Sequence, residues 1–265
     1  MLTLDGVTYR YPGAQRGSLK GVSLTLAPGE VVGLVGATEA GKSTTCLVAS
    51  GLAPRSVGGL LIGRVAIDDQ DLATVPTGEL AGLVGIGFAG ANLSGVCSTV
   101  YEEVAFGPMN LGVERGEIMK RTERALAAVG IPDLAPRDPE HLSGGQRQLV
   151  ALAGVLATQP AHLVLDEPTA MLDPAGTRLV GEAIGALAAS GASILIAEQK
   201  TDLLATICQR VLVLSDGEIV LEGPAATVLA DPELEAAGVE PPTSVRLRRL
   251  AQAAGVDPDR LAVRA

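Results

Sequence analysis

Residues 2–9, LTLDGVTY, alternate apolar and polar side chains, which predicts a half-buried strand. A second strand is expected in GVSLTLAPGE, stopped by its Pro-Gly turn. The run EVVGLVG is short and continuously apolar, as a parallel strand covered on both faces is. It feeds a glycine-rich loop, after which KSTTCLVASGL reads as a helix. The middle, about 94–150, changes character. RGEIMKRTERALAAVG is a charged amphipathic helix that stops at Gly130 and Pro132, and strand-like runs are scarce, so an inserted helical lobe is expected. Strands return in HLVLDE, ASILIAE, RVLVLS and GEIVLEG, the last two flanking Asp216-Gly217, a two-residue hairpin turn. From about 226 the pattern predicts two short helices joined by the stiff step Pro241-Pro242. The least charged stretches, LVALAGVLATQPAHLVL and AIGALAASGASILIA, are broken by Gln159-Pro160 and Ser190-Gly191. Each reads as helix, turn and buried strand, and no membrane span is expected.

Composition narrows the picture. The 265 residues are 47% apolar, enough for one large α/β domain or one domain with an inserted lobe. The net charge of -10 argues against a nucleic-acid binder, which needs a basic stripe. Cys46, Cys97 and Cys208 lie far apart, fit no metal spacing and read as reduced core fillers. The opening MLTLDGVTYRYPG is alternating and polar, so no signal peptide is expected, and the unpaired cysteines read as cytosolic thiols.

Three motifs carry chemistry. GATEAGKST fits G-x-x-x-x-G-K-[ST], with Gly36, Gly41, Lys42 and Ser43 in register, between a predicted strand and a predicted helix. The backbone N–H groups of such a loop, here Ala37, Thr38, Glu39, Ala40 and Thr44 with the glycines, converge on a phosphate at a helix N-terminus. Lys42 supplies a point charge, and the Ser43 hydroxyl suits Mg²⁺. HLVLDEPT puts Asp166 and Glu167 at the carboxyl end of a buried strand, where open parallel sheets bind ligands. Asp166 would hold the metal through water, and Glu167 would act as general base toward a lytic water. LSGGQRQ opens a helix with Ser143, Gly144, Gly145 and Gln146, a second anion site or a plain N-cap.

In this order and spacing, GATEAGKST, LSGGQRQ and LVLDEPTAMLDP resemble the ATPase subunits of ABC transporters over about residues 1–230. The resemblance implies an α/β P-loop NTPase (RecA-like) core with N-terminal antiparallel β-strands and an inserted α-helical subdomain at about 94–150. Residues 231–265 are expected to form a helical tail, a possible dimerisation element. It implies ATP and Mg²⁺ as cofactors. It also implies head-to-tail packing with a second ATPase subunit, identical or different, with ATP between the glycine loop of one and the LSGGQ of the other. Asp173 matches the loop that crosses this interface, and Tyr11 the aromatic that stacks on adenine; an ordinary strand-end tyrosine is the plainer account of Tyr11. STVYEEVAFGPMNLGV, TAMLDP and SVRLRRLAQ resemble the energy-coupling-factor group. That group implies import of a vitamin or a transition-metal ion, a transmembrane coupling protein, a separate substrate-binding membrane protein, and a place on the cytoplasmic face of the membrane. Arg246, Arg248 and Arg249 then help dimerise the tails or form a solvated helix face.

Three positions depart from the family pattern. Glu39 stands where glycine is usual, Ala89 where a glutamine would follow Phe88, and Gln199 in the place of the histidine that contacts the γ-phosphate. His141 and His162 cannot replace it, and His162 reads as a satisfied core residue. Glu39 is expected to point outward. These departures predict an asymmetric pair, in which this chain's own site turns over slowly while its LSGGQ completes a competent site on the sister. A nucleotide-binding scaffold and a soluble ABC-type ATPase outside transport are the alternatives.

Overall fold

The computed structural model describes residues 1–88, 93 and 95–256. Ala89 lies outside the described residues, as does the tail beyond residue 256. Among the described residues, ten strands form two sheets. In the first, β1 (Leu2–Arg10) pairs antiparallel with β2 (Leu19–Leu26) and with β4 (Leu60–Ile67), and β5 (Gln70–Asp71) adds an edge. In the second, β3 (Val31–Val35) is flanked in parallel by β8 (Ser193–Ala197) and β9 (Arg210–Ser215). Parallel β7 (His162–Asp166) and β6 (Val84–Phe88) extend it beyond β8, and β10 (Glu218–Pro224) closes the other edge antiparallel to β9. The order is β10-β9-β3-β8-β7-β6.

The apolar runs are legible as layers. All five residues of β3 are buried. Val31 and Val35 join one hydrophobic cluster, Val32 and Leu34 the other. β9 divides the same way: Val211 and Val213 face one side, Leu212 and Leu214 the other. A period of two in a continuously apolar strand places the sheet between two cores. One core is shared with the antiparallel sheet and α1 (Lys42–Ala49). The other packs α3 (Val100–Asn110), α4 (Arg115–Ala128), α5 (Gly144–Ala157), α6 (Pro174–Ala189) and α7 (Thr201–Ile207). The short α2 (Thr77–Leu83) precedes β6. Burying one leucine in such a core contributes about 2 kcal/mol.

The helical middle is present as α3, α4 and α5, with α5 reaching Ala157. The Asp216-Gly217 turn has φ 45° and 80°, as a two-residue hairpin turn requires. The tail differs from the two helices expected. It holds three pieces, α8 (Ala225–Val228), α9 (Glu233–Ala236) and α10 (Thr243–Ala253). Pro232 lacks the N–H that a continuous helix needs, and the Asp231 side chain accepts the Glu233 N–H at 2.8 Å, restarting the chain as a single turn. Leu234 and Val239, beyond the boundary drawn at residue 231, belong to the same buried cluster as Val31.

No helix among the described residues is long and apolar enough to cross a membrane. Cys46 is buried, Cys97 and Cys208 are half-buried, and no group of residues suited to hold a metal through cysteine or histidine occurs among the described residues. Burial pushes the Cys46 thiol well up and the Cys208 thiol up to about 12, so both stay protonated as packing groups.

Candidate nucleotide and metal site

Three neighbouring strands, β3, β8 and β7, end on the same side of the sheet and deliver the glycine loop, Glu198–Gln199 and Asp166–Glu167. Side chains far apart in the sequence, such as Lys42, Asp166 and Gln199, therefore meet at one edge. The glycine loop needs its glycines. A Cβ on Gly36 (φ 156°) would sit 2.3 Å from the Leu214 carbonyl oxygen, and one on Gly41 (φ 109°) 2.8 Å from the Ser18 carbonyl oxygen. Both clashes are with backbone, so the loop is wedged against β9 and the entry to β2.

Ala37, Thr38 and Glu39 are exposed, Ala40 is buried, and α1 begins at Lys42. The Lys42 ammonium is buried and donates to the carbonyls of Gly36 at 2.8 Å and Ala37 at 2.9 Å. It is folded onto its own loop. Ser18, Thr38, Glu39, Gly41, Lys42, Ser43, Thr44, Glu167 and Gln199 surround a cavity of about 390 Å³. Glu39 is solvent-exposed and lines this cavity, and its φ of 66° is a left-handed backbone that glycine accepts more easily.

Asp166 is buried beneath the cavity, and its Oδ1 has no hydrogen-bond partner. Burial raises its pKa; a hydrogen bond from Ser43 and the charge of Lys42 oppose this, while Glu167 and Glu198 add to it. A buried carboxylate oxygen without a donor, next to a serine hydroxyl, is the donor set a hard divalent cation takes, and the residues fit Mg²⁺. Glu167 has φ 49°, a strained backbone for a non-glycine residue, and its N–H is held by the Ala197 carbonyl at 2.8 Å. Gln199 Nε2 donates to Glu167 Oε1 at 2.6 Å.

Two residues outside the sequence motifs, Glu198 and Lys200, fix this edge. Glu198 is 2% exposed, accepts Thr169 Oγ1 at 2.8 Å, and accepts the N–H of Gln199 at 2.9 Å. Lys200 Nζ donates to the carbonyls of Thr169 and Leu172 and to Thr177 Oγ1 at 2.8, 3.1 and 2.9 Å. In the sequence, Glu198 follows the largely apolar SILIA much as Asp166 follows HLVL.

Other predicted residues lie elsewhere. Tyr11 shares a hydrogen bond with Thr44 Oγ1 at 3.2 Å and meets Tyr9 edge to face at 4.9 Å, which puts its ring beside the first turn of α1. Ser143 caps α5: its hydroxyl accepts the Gln146 N–H at 3.2 Å, and Gln146 Oε1 accepts the Ser143 N–H at 3.0 Å. Ser143, Gly144, Gly145 and Gln146 do not line the glycine-loop cavity. Asp173 caps α6 by accepting the Gly176 N–H at 2.7 Å. Arg246 pairs with Glu240, and Arg249 pairs with Glu235 at 3.1 Å. His162 is buried and hydrogen-bonded to Ser193, while His141 is exposed. A separate cleft of about 660 Å³ opens between β6, α3 and α5, with Phe88, Phe106 and Val155 on its walls.

The model of the ABC transporter family matches residues 19–170. The energy-coupling factor transporter ATP-binding protein EcfA of Methanocaldococcus jannaschii is 39% identical over 225 residues, 85% of this chain and 79% of that one. The cobalt import ATP-binding protein CbiO of Rhodobacter capsulatus is 36% identical over 248 residues, 93% of this chain and 87% of that one. Among solved structures, cbiO1 of Clostridium perfringens, described as part of the transporter complex cbiONQ, superposes with a TM-score of 0.76 at 30% identity. The match covers 96% of this chain and 98% of that one. A dimeric ATP-binding cassette in a post-hydrolysis state with ADP and Pi gives 0.76 at 26% identity, over 85% of this chain and 99% of that one.

Proposed function

The chain belongs to the ABC transporter ATP-binding family, whose members are ATPases, and from that premise we propose that it is one of the paired ATPases of an energy-coupling-factor importer. The cargo class, a vitamin or a transition-metal ion, is set by a separate membrane protein, and the chain sits on the cytoplasmic face through its partners. The observation that carries the reading is the meeting of Lys42, Ser43, Asp166, Glu167 and Gln199 at one sheet edge while Ser143–Gln146 stands apart from it. One chain supplies half of each of two sites, so a sister subunit must bring the other half.

The roles follow from chemistry. The N–H groups after Gly36 and the start of α1 receive the β-phosphate. Lys42 leaves the loop carbonyls to pair with phosphate oxygens. Ser43 and Asp166 would hold Mg²⁺, which supplies charge neutralisation to the phosphate oxygens. Glu167 accepts a proton from the lytic water, and Gln199 orients it through the 2.6 Å bond. Tyr11 offers its ring to adenine. Ser143, Gly144, Gly145 and Gln146 close over the sister's nucleotide. The cleft walled by Phe88 and Phe106 suits an apolar helix end of the coupling protein.

Own-site turnover is slow in this reading. Gln199 offers a neutral donor where an imidazole can also carry positive charge, and one lost donor to developing charge costs about 10²–10³ in rate. The test is a purified complex carrying Glu167→Gln here or, separately, the equivalent change in the sister. The asymmetric pair predicts the larger loss of ATPase activity from the sister's change; equal losses overturn it. Single-turnover hydrolysis by this chain's site separates a slow enzyme from a scaffold.

A further inference from the structure

We infer that Asp202 and Thr243 are positioning residues through which the C-terminal helix α10 fixes Gln199 against Glu167; the inference rests on the reading of Glu167 as general base. The N-cap of α7 is Lys200 and that of α10 is Pro242, and neither provides a side-chain cap. The first turn of each helix leaves N–H groups without intrahelical partners. Asp202, in the first turn of α7, accepts both the Thr243 N–H and the Thr243 hydroxyl at 2.8 Å, so one helix caps the other. Next to it, Thr201 Oγ1 donates to the Glu240 carbonyl at 2.9 Å. Three bonds thus fasten the start of α7 to residues 240–243. Pro241 and Pro242 between them are buried and have fixed φ, so the segment is stiff.

The tail end of this tether is itself anchored. Arg246 pairs with Glu240, and Arg249 pairs with Glu235 and donates to the Ala230 carbonyl at 2.7 Å. On the other side, Gln199 lies between Glu198, pinned by Thr169, and the fastened Thr201–Asp202. A groove of about 940 Å³ separates α6, the start of α7 and Glu240–Pro241. The groove leaves this side of the junction open, and the three hydrogen bonds span it beside the buried Pro241 and Pro242. Removing these bonds takes away the anchor on the α7 side of Gln199 while Glu198 and Lys200 still hold the other, so the donor to Glu167 is held less tightly. Neither Asp202 nor Thr243 lines the glycine-loop cavity, so nucleotide binding has no direct share in the effect.

The test is ATP hydrolysis by the assembled complex. Where the sister is a different chain, its own base is replaced by glutamine so that only this chain's site reports. Asp202→Ala is expected to lower kcat about fivefold, the worth of about one net hydrogen bond, with KM for ATP within about twofold. Thr243→Val keeps the N–H, loses the hydroxyl bond and lowers kcat about twofold; it carries the test if Asp202→Ala folds poorly. Thr243→Ser restores the parent rate. In a Gln199→Ala background, Asp202→Ala adds nothing further, because the path runs through Gln199. An unchanged kcat in both tether variants, a rise in KM alone, or an undiminished effect in the Gln199→Ala background overturns the tether. Full turnover in Glu167→Gln overturns instead the assignment of the base.

Discussion

Glu39 is the sharpest point at which to perturb the site. Glu39 lines, with Lys42 and Ser43, the cavity of about 390 Å³, and its backbone has φ 66°. A charge on the wall of such a cavity lies about 5 Å from a phosphate at its centre, where two unit charges repel by about 3 kcal/mol at an effective dielectric of about 20 and by under about 1 kcal/mol in bulk water. Glu39 is exposed, so the lower half of this range applies. Glu39→Gln keeps the backbone and removes the charge; it is expected to tighten Mg-ATP binding about tenfold at low salt, the equivalent of about 1.4 kcal/mol. The gap narrows as salt rises toward about 0.5 M, where screening is short-ranged. Glu39→Gly gains the same affinity and also relieves left-handed strain, raising nucleotide-free stability by about 1 kcal/mol. The assay is titration with a fluorescent ATP analogue at two ionic strengths, beside thermal unfolding without nucleotide. An affinity of Glu39→Gln within twofold of the parent at low salt refutes the electrostatic argument. A stability gain in Glu39→Gln equal to that in Glu39→Gly refutes the strain argument.

Other predictions concern the metal site and the loop staple. Burial holds the Asp166 pKa above the ordinary aspartate value, so the folded state keeps this proton longer than the unfolded chain does. Metal-free stability from this group is therefore highest at low pH and falls as pH rises from the unfolded value through the raised folded one. Asp166→Asn removes that dependence, raises the melting temperature in EDTA at neutral pH, and forfeits the added stability that Mg-ATP gives; calorimetry reads all three. Lys200→Ala leaves the carbonyls of Thr169 and Leu172 and the Thr177 hydroxyl without their charged donor. A loss of about 2 kcal/mol in urea unfolding is expected, and a loss under about 0.5 kcal/mol would contradict the staple.

Much of the arrangement was readable in the chain itself. EVVGLVG announced a strand buried on both faces, and β3 is that strand, with alternate residues in two cores. The hairpin at Asp216-Gly217 followed from turn chemistry. Segments without a strong period were not readable. In β4 only three of eight residues are buried. In β6, VGIGF has glycine where side chains would collide: a Cβ on Gly85 would meet Pro160 Cγ at 2.7 Å, and one on Gly87 would meet Leu165 Cδ2 at 2.9 Å. Such packing is invisible locally. The split of the tail at Pro232 was written in the sequence but outweighed by its helical composition.

The chemical inventory is local in the chain: a glycine loop with Lys42 and Ser43, an acid pair after an apolar run, and a serine-glycine helix start. Each is a local pattern, fixed by neighbours within a few residues. Only the tertiary structure decided which of these face one another. The order β3-β8-β7 brings Asp166, Glu167 and Gln199 to Lys42, leaves Ser143 outside, and sets Asp202 beneath Thr243. Strand order and helix docking come from how two cores fill on either side of one sheet, a property of the whole chain that no short window contains.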